Sequence, residues 1–297
     1  RIMAKRAVMA TGAEERPIVF GGNDVPGVML ASAMRTYANR YAAAAGKSIV
    51  VFTNNNSGHR TARDMKAHGV HVEAIIDSRD SGAAIVNVKG GKRVTAVELS
   101  DHRIIPCDGV AMSGGWSPIV NLMCHRGGKP TWDEAIAGFV PPVVSSAFVA
   151  AGSAAGRMLL SQCLADGARA GTMKGKTPAV PKCRDEAFSI TPLWWVKQST
   201  GKAFVDYQND ATAKDLPLAA REGYRDIELA KRYTTAGMAT DQGKLGNVNA
   251  IAILRPKLGG EAAVGSSGHR YLLIGAGVGD DDLRSPFDAI GALRYFP

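Results

Sequence analysis

Residues 47–77 read Lys-Ser-Ile-Val-Val-Phe-Thr-Asn-Asn-Asn-Ser-Gly-His-Arg-Thr-Ala-Arg-Asp-Met-Lys-Ala-His-Gly-Val-His-Val-Glu-Ala-Ile-Ile-Asp, and this stretch decides the fold class. Its apolar run at 49–52 predicts a short buried strand. Residues 57–68 predict a helix that turns Ala62 and Met65 toward a sheet, and residues 70–76 a second strand. A helix this short between two strands makes a βαβ unit with parallel strands. The loop 53–58 then falls at the carboxyl edge of the sheet, where dinucleotides bind in folds of this kind. That chemistry needs glycines for close backbone approach, free amides at a helix N-terminus for pyrophosphate, and an acid after the second strand for a ribose. Asp77 suits the ribose and Gly58 can open the helix, but Thr53 and Asn55 stand where the first two glycines belong. The loop therefore reads as a structural remnant, with Ser57 or Asn56 as the helix cap. Nucleotide binding is the alternative.

The remaining chain is placed around this unit. A chain of 297 residues with 45% hydrophobic content and 34 glycines buries a core large enough for two lobes. The net charge of +9 is scattered and lacks the basic and aromatic stripe of a nucleic-acid surface, so no nucleic-acid partner is expected. Cys107, Cys124, Cys163 and Cys183 have no metal-ligand spacing, and no long apolar run suggests a membrane span. Reduced thiols and a cytoplasmic location are the expectation. Residues 7–10 predict a central strand ending at Thr11-Gly12, and a strand so near position 1 suggests that preceding sequence lies elsewhere. Residues 32–41 predict a helix packed through Met34, Tyr37 and Tyr41.

Short turns between 84–88, 94–99 and 104–107 predict an antiparallel meander. Residues 108–113 are then expected to return as a strand to the first sheet, followed by Gly114-Gly115, where the backbone can pass close to another element. A strand at 148–152 leads into a small-residue helix at 154–165. Gly152 and Gly156 there serve either a ligand or close helix packing. Residues 171–202 have the composition of a surface linker, with Trp194-Trp195 covering an edge or anchoring a partner. Beyond it, Thr212-Ala-Lys-Asp215 predicts a helix N-terminus, with a helix to residue 222 and further helices at 227–233 and 247–254.

A resemblance sharpens this reading. The runs 204–215, 231–244 with Asn247, Ala10–Pro17, 51–54, Met112–Pro118 and 148–152 together resemble the alpha subunit of heterotetrameric sarcosine oxidase. The likeness spans roughly residues 1–258. It implies an α/β, FAD/NAD(P)-binding-like nested two-lobe nucleotide-binding fold, joined to a small helical module that resembles an iron-sulphur-binding domain without its cysteines. Residues 1–46 and 108–170 form an incomplete outer lobe, 47–107 the inserted lobe, 171–202 the linker, 203–258 the module and 259–297 an irregular tail. The expected chain is a piece lacking a first nucleotide-binding segment and a folate-binding domain.

The activity implied is oxidative demethylation of sarcosine, with electrons passing through flavins to oxygen and the one-carbon unit to tetrahydrofolate. NAD belongs to the alpha subunit, FMN to its boundary with a beta subunit, and FAD to that beta partner; smaller subunits complete the complex. Thr11, Gly12, Gly114, Gly115, Gly152 and Gly156 are the expected cofactor-binding residues of the outer lobe, while the 47–77 loop stays empty. No catalytic residue and no metal ligand is assigned. Thiolates bind iron-sulphur clusters because they are soft and anionic. Asp206, Gln208, Asp241, Lys244 and Asn247 occupy the corresponding regions, so no cluster is expected. A standalone pyridine-nucleotide-disulphide-type or amine oxidoreductase is the competing reading, and a noncatalytic assembly subunit the third.

Overall fold

The computed structural model describes residues 4–124, 129–143, 145–172 and 175–254. The expected irregular tail at 259–297 lies outside the described residues. Two compact units divide the described residues, one drawn from 4–14 and 116–188, the other from 15–115 and 189–254.

The second unit is built on four parallel strands in the order Val28–Leu30, Gly109–Ser113, Ser48–Thr53, His71–Asp77. Side chains alternate across a strand, so each strand feeds two cores. Ile49, Val51 and Ala111 face Ala31, Met34, Ala38, Ala62 and Met65 of the helices Ala31–Tyr41 and Asn56–Ala67. Val50, Phe52, Val110 and Met112 face Val86, Val97 and Leu99 of the antiparallel meander Ile85–Gly90, Val94–Leu99, Ile104–Pro106. With both faces covered, Ile49 to Phe52 within the strand Ser48–Thr53 reads as an unbroken apolar run.

Two expectations are corrected here. The strand at 109–113 joins the sheet of the 47–77 unit, pairing with Ser48–Thr53 on one side and Val28–Leu30 on the other. It does not return to the strand at 7–9. Hydrophobic content on both faces suits it to the centre of a parallel sheet, and the unit it joins begins at Glu15. In the first helix, Met34 is buried but Tyr37 and Tyr41 are 48% and 66% exposed. The small side chains Ala31 and Ala38 share the Met34 face and let the helix lie closer to the sheet than tyrosines would.

The other unit contains a parallel pair, Ala7–Met9 with Phe148–Ala150. After Ala150 the chain makes a single tight turn, Gly152–Ala155, closed by Gly156 in the left-handed region. The long helix follows at Leu160–Gly171, later than the expected 154–165. Gly156 stops the first turn and forces the restart.

Residues 203–254 share the compact unit of 15–115. Asn23 clamps the backbone of Phe204, its Oδ1 accepting the Phe204 amide at 2.9 Å and its Nδ2 donating to the Phe204 carbonyl at 2.8 Å and to Tyr207 Oη at 3.0 Å. Asn249 Nδ2 donates to the Pro17 carbonyl at 2.9 Å. The helices Asp215–Arg221, Ile227–Thr234 and Asn247–Leu254 form near the expected bounds, the first with Lys214 at its N-cap and no side-chain cap bond, the second capped by Asp226. Asp215 Oδ2 accepts both the amide and the hydroxyl of Thr212. The second half of the expected linker is fixed in the same unit, since Val19 pairs with Trp195 and Arg16 lies 5.1 Å over the Trp194 ring. The tryptophans thus cover an edge of their own unit.

Candidate functional site: two carboxyl edges

At the carboxyl edge of the four-stranded sheet, the groups a dinucleotide would use are already engaged. Asn55 caps the helix Asn56–Ala67, accepting the Ser57 amide at 2.9 Å, and its Nδ2 donates to the Ser113 carbonyl at 2.9 Å. A Cβ on Gly58 would lie 2.4 Å from Thr53 Cβ, so this glycine serves close helix-to-strand packing. The Asn56 amide donates to the Ser189 carbonyl at 3.2 Å, and the Thr191 amide donates to the Asn54 carbonyl at 3.0 Å.

Asp77 is nearly buried and holds Arg79 through Oδ1 at 2.9 Å and Oδ2 at 2.6 Å, with His59 Nε2 2.7 Å from Oδ2. Burial pushes the Asp77 carboxyl upward, but Arg79 and His59 outweigh it and hold the group below its ordinary value. His59, Asp77 and Asp80 can be grouped as metal ligands by distance, yet the Arg79 guanidinium already supplies the cation that Asp77 binds. Buried Glu15 accepts the Ser32 amide at 2.6 Å at the start of the other helix, and the Ser113 hydroxyl at 2.6 Å.

The expected cofactor residues divide by what surrounds them. Gly114 and Gly115 lie in the unit of the four-stranded sheet, where an added Cβ would come 2.6 Å from the Pro17 carbonyl oxygen and 2.5 Å from Arg16 Nη2 respectively. Their missing side chains make room for protein. Gly156, at φ +79°, is likewise packed, 2.6 Å from Val140 Cγ1 by the same measure.

Gly12 and Gly152 differ. They follow the parallel strands Ala7–Met9 and Phe148–Ala150 at the same edge, with φ of +82° and +66°. An added Cβ at Gly12 would meet nothing closer than Ser153 Oγ at 3.9 Å, and at Gly152 nothing closer than Cys163 Sγ at 3.8 Å. The backbone demands glycine at both places, and an added Cβ would make only ordinary van der Waals contact there, without the tight packing found at Gly114, Gly115 and Gly156. Thr11 Oγ1 donates to the Ile119 carbonyl at 3.1 Å, and the Ile119 amide donates to the Gly12 carbonyl at 3.0 Å, which fixes the turn. Asp166 was missed by sequence reading. Its Oδ2 accepts the Gly152 amide at 3.0 Å, and only the return of the helix Leu160–Gly171 brings it there.

In the helical module the positions of the expected ligand regions tie loops together. Asp206 Oδ1 accepts the amides of Gln208 and Asn209, and its Oδ2 accepts that of Gly237. Gln208 Oε1 accepts the amide and hydroxyl of Thr240, both at 2.8 Å, and Asp241 Oδ1 accepts the Gly243 amide at 3.1 Å.

Residues 200–273 match the family model described as the sarcosine oxidase A3 domain, which runs past the expected limit of the likeness at 258. Among solved structures, L-proline dehydrogenase from P. horikoshii superposes with a TM-score of 0.68 at 19% identity, covering 86% of this chain and 54% of that one; it shares the fold. Among curated proteins, sarcosine oxidase subunit alpha of Rhizobium meliloti (strain 1021) is 45% identical, covering 91% of this chain and 30% of the relative. The subunit of the same description from Corynebacterium sp. (strain P-1) is 36% identical, with 91% of this chain and 32% of the relative covered. The chain thus spans about a third of the length of the curated relatives it matches. Over 91% of its own residues the chain is homologous to the alpha subunit of sarcosine oxidase.

Proposed function

We propose that this chain is the nucleotide-binding part of an alpha subunit in a sarcosine oxidase-like complex, and that its NAD site is the edge formed by Gly12 and Gly152. The carrying observation is the pair of left-handed glycines, loosely packed in front of the Cα, at the ends of parallel neighbours. Thr11 and Ile119 hold the Gly12 turn in place. Asp166, whose carboxylate accepts the Gly152 amide and pairs with exposed Arg169 at 2.9 Å, keeps acceptor capacity for a ribose hydroxyl beside the turn.

In the complex, FMN lies at the boundary with a beta-like subunit that carries FAD. Sarcosine is demethylated to glycine with electrons passing through flavin to oxygen and the one-carbon unit to tetrahydrofolate. Bound flavin supplies the redox chemistry, and this chain's residues position nucleotide and partner. Smaller subunits complete the assembly, which is cytoplasmic; among the described residues no helix is long and apolar enough to cross a membrane.

The test compares the chain alone with the chain assembled with a beta-like subunit. Peroxide production from sarcosine is expected only from the assembly, and robust production by the chain alone overturns the subunit reading. The outer sheet has two strands among the described residues, so the chain alone is expected to bind NAD weakly. In the assembly, Gly12→Val and Gly152→Val should each deplete NAD released on denaturation. Gly69→Ala, at a position with open surroundings remote in sequence from either strand, should leave it unchanged. Full NAD content in both valine variants would refute the assignment.

A further inference from the structure

We infer that residues 189–191 are an intrasteric strap, an internal occupant that holds the carboxyl edge of the four-stranded sheet closed to nucleotides, with Arg79 as its latch. The observations come from the strap and from the edge it covers, and none depends on the outer-edge NAD reading.

Ile190 pairs with Asn55 in an antiparallel bridge, so the strap runs along the loop as an added strand. Its two backbone bonds are those between Asn56 and Ser189 and between Thr191 and Asn54. One of them uses an amide at the start of the helix Asn56–Ala67, a group that would otherwise face an anion. Arg79 Nη1 donates to the Ser189 carbonyl at 3.0 Å and to Asn56 Oδ1 at 2.7 Å, while its other nitrogens hold Asp77. One guanidinium therefore fastens the strap and occupies the ribose acid together. The unit has made room for the strap, because a Cβ on Gly115 would lie 2.5 Å from Ile190 Cδ1. At this edge a peptide takes the place of pyrophosphate, and an arginine takes the place of ribose.

Extended peptide added to a backbone edge is held by main-chain hydrogen bonds, so its loss is read by amide exchange. In the 297-residue chain, the Asn56 and Thr191 amides should be protected together. Arg79→Ala should raise exchange at both by roughly tenfold or more, the scale of one lost hydrogen bond to a charged group. Val50–Phe52 should stay protected, which shows that the sheet remains folded. Thr191→Pro, which deletes one donor without touching Arg79, should release the strap by a second route. Adding millimolar NAD to the unaltered chain should leave exchange at Asn56 and Thr191 unchanged, whether or not the outer edge takes it up. Faster exchange there on adding NAD would mean that nucleotide displaces the strap, and would overturn the inference. So would retained protection of both amides in folded Arg79→Ala, or of the Asn56 amide in folded Thr191→Pro. NAD binding judged by the Gly12 and Gly152 variants fails or succeeds separately.

Discussion

The Asp206 carboxylate accepts the Gly237 amide at 2.6 Å inside the helical module, joining the end of the strand Phe204–Asp206 to a loop some thirty residues later. Its other oxygen accepts two further amides. Where thiolates and a cluster would bridge two loops, a single acid bridges them by hydrogen bonds. Asp206→Ala should destabilise the chain by about 1–3 kcal/mol, because the buried Gly237 amide loses a charged acceptor. Chelators should leave the melting temperature unchanged. A chelator-induced drop would show that a metal, and not Asp206, holds the loops.

Lys231 supplies a pH signature. Burial lowers its ammonium from 10.5 to about 8, against the favourable influence of Glu228, Asp241 and Asp206. The unfolded chain therefore binds more protons between about pH 8 and 10.5, and stability should rise with pH through that window. Lys231→Met should remove this rise in urea titrations. An identical slope in the variant would assign it to another group.

Glu15 carries the opposite sign. Burial raises its carboxyl, with Ser113 and Ser32 opposing, so its contribution is fullest below the ordinary carboxylate pKa and declines as pH rises through the folded value. Glu15→Gln keeps an acceptor for the Ser32 amide and removes the buried charge. Denaturation from acid to neutral pH should show a flatter decline for the variant than for the parent.

Gly58 tests the packing at the sealed edge. Alanine there must push against Thr53 and should cost roughly 1–3 kcal/mol, the usual scale of overpacking. Gly69→Ala, at φ +77° with nothing within 4 Å, should cost only about 1 kcal/mol from backbone strain. Similar costs at the two sites, measured by chemical denaturation, would dismiss close packing as the reason for Gly58.

The βαβ unit at 47–77 was legible because its apolar runs are local signals, and the strands and helix there form within a few residues of the expected bounds, although Asn55, and not Ser57 or Asn56, caps the helix. The meander was legible for the same reason. What failed was partnership over distance. The run Gly109–Ser113 declares itself a strand, but nothing in its pattern says which sheet receives it. Glycines at 12, 114, 115, 152 and 156 look alike in sequence and are separated only by what stands before each missing Cβ. Asp166 and the segment at 189–191 gave no local signal, since their partners lie at Gly152 and at Asn54–Asn56.

The clamp of Asn23 on Phe204 bears on how such proteins are cut and recombined. The family match begins at residue 200, yet a cut there would strand a buried asparagine on one piece and an uncapped backbone on the other. The unit of descent and the unit of folding therefore have different borders. A segment from 200 onward, expressed alone, should give poorly dispersed amide resonances, whereas supplying residues 15–115 in trans should restore dispersion. Domain exchange among relatives should succeed only when residues 15–115 travel with the module they hold.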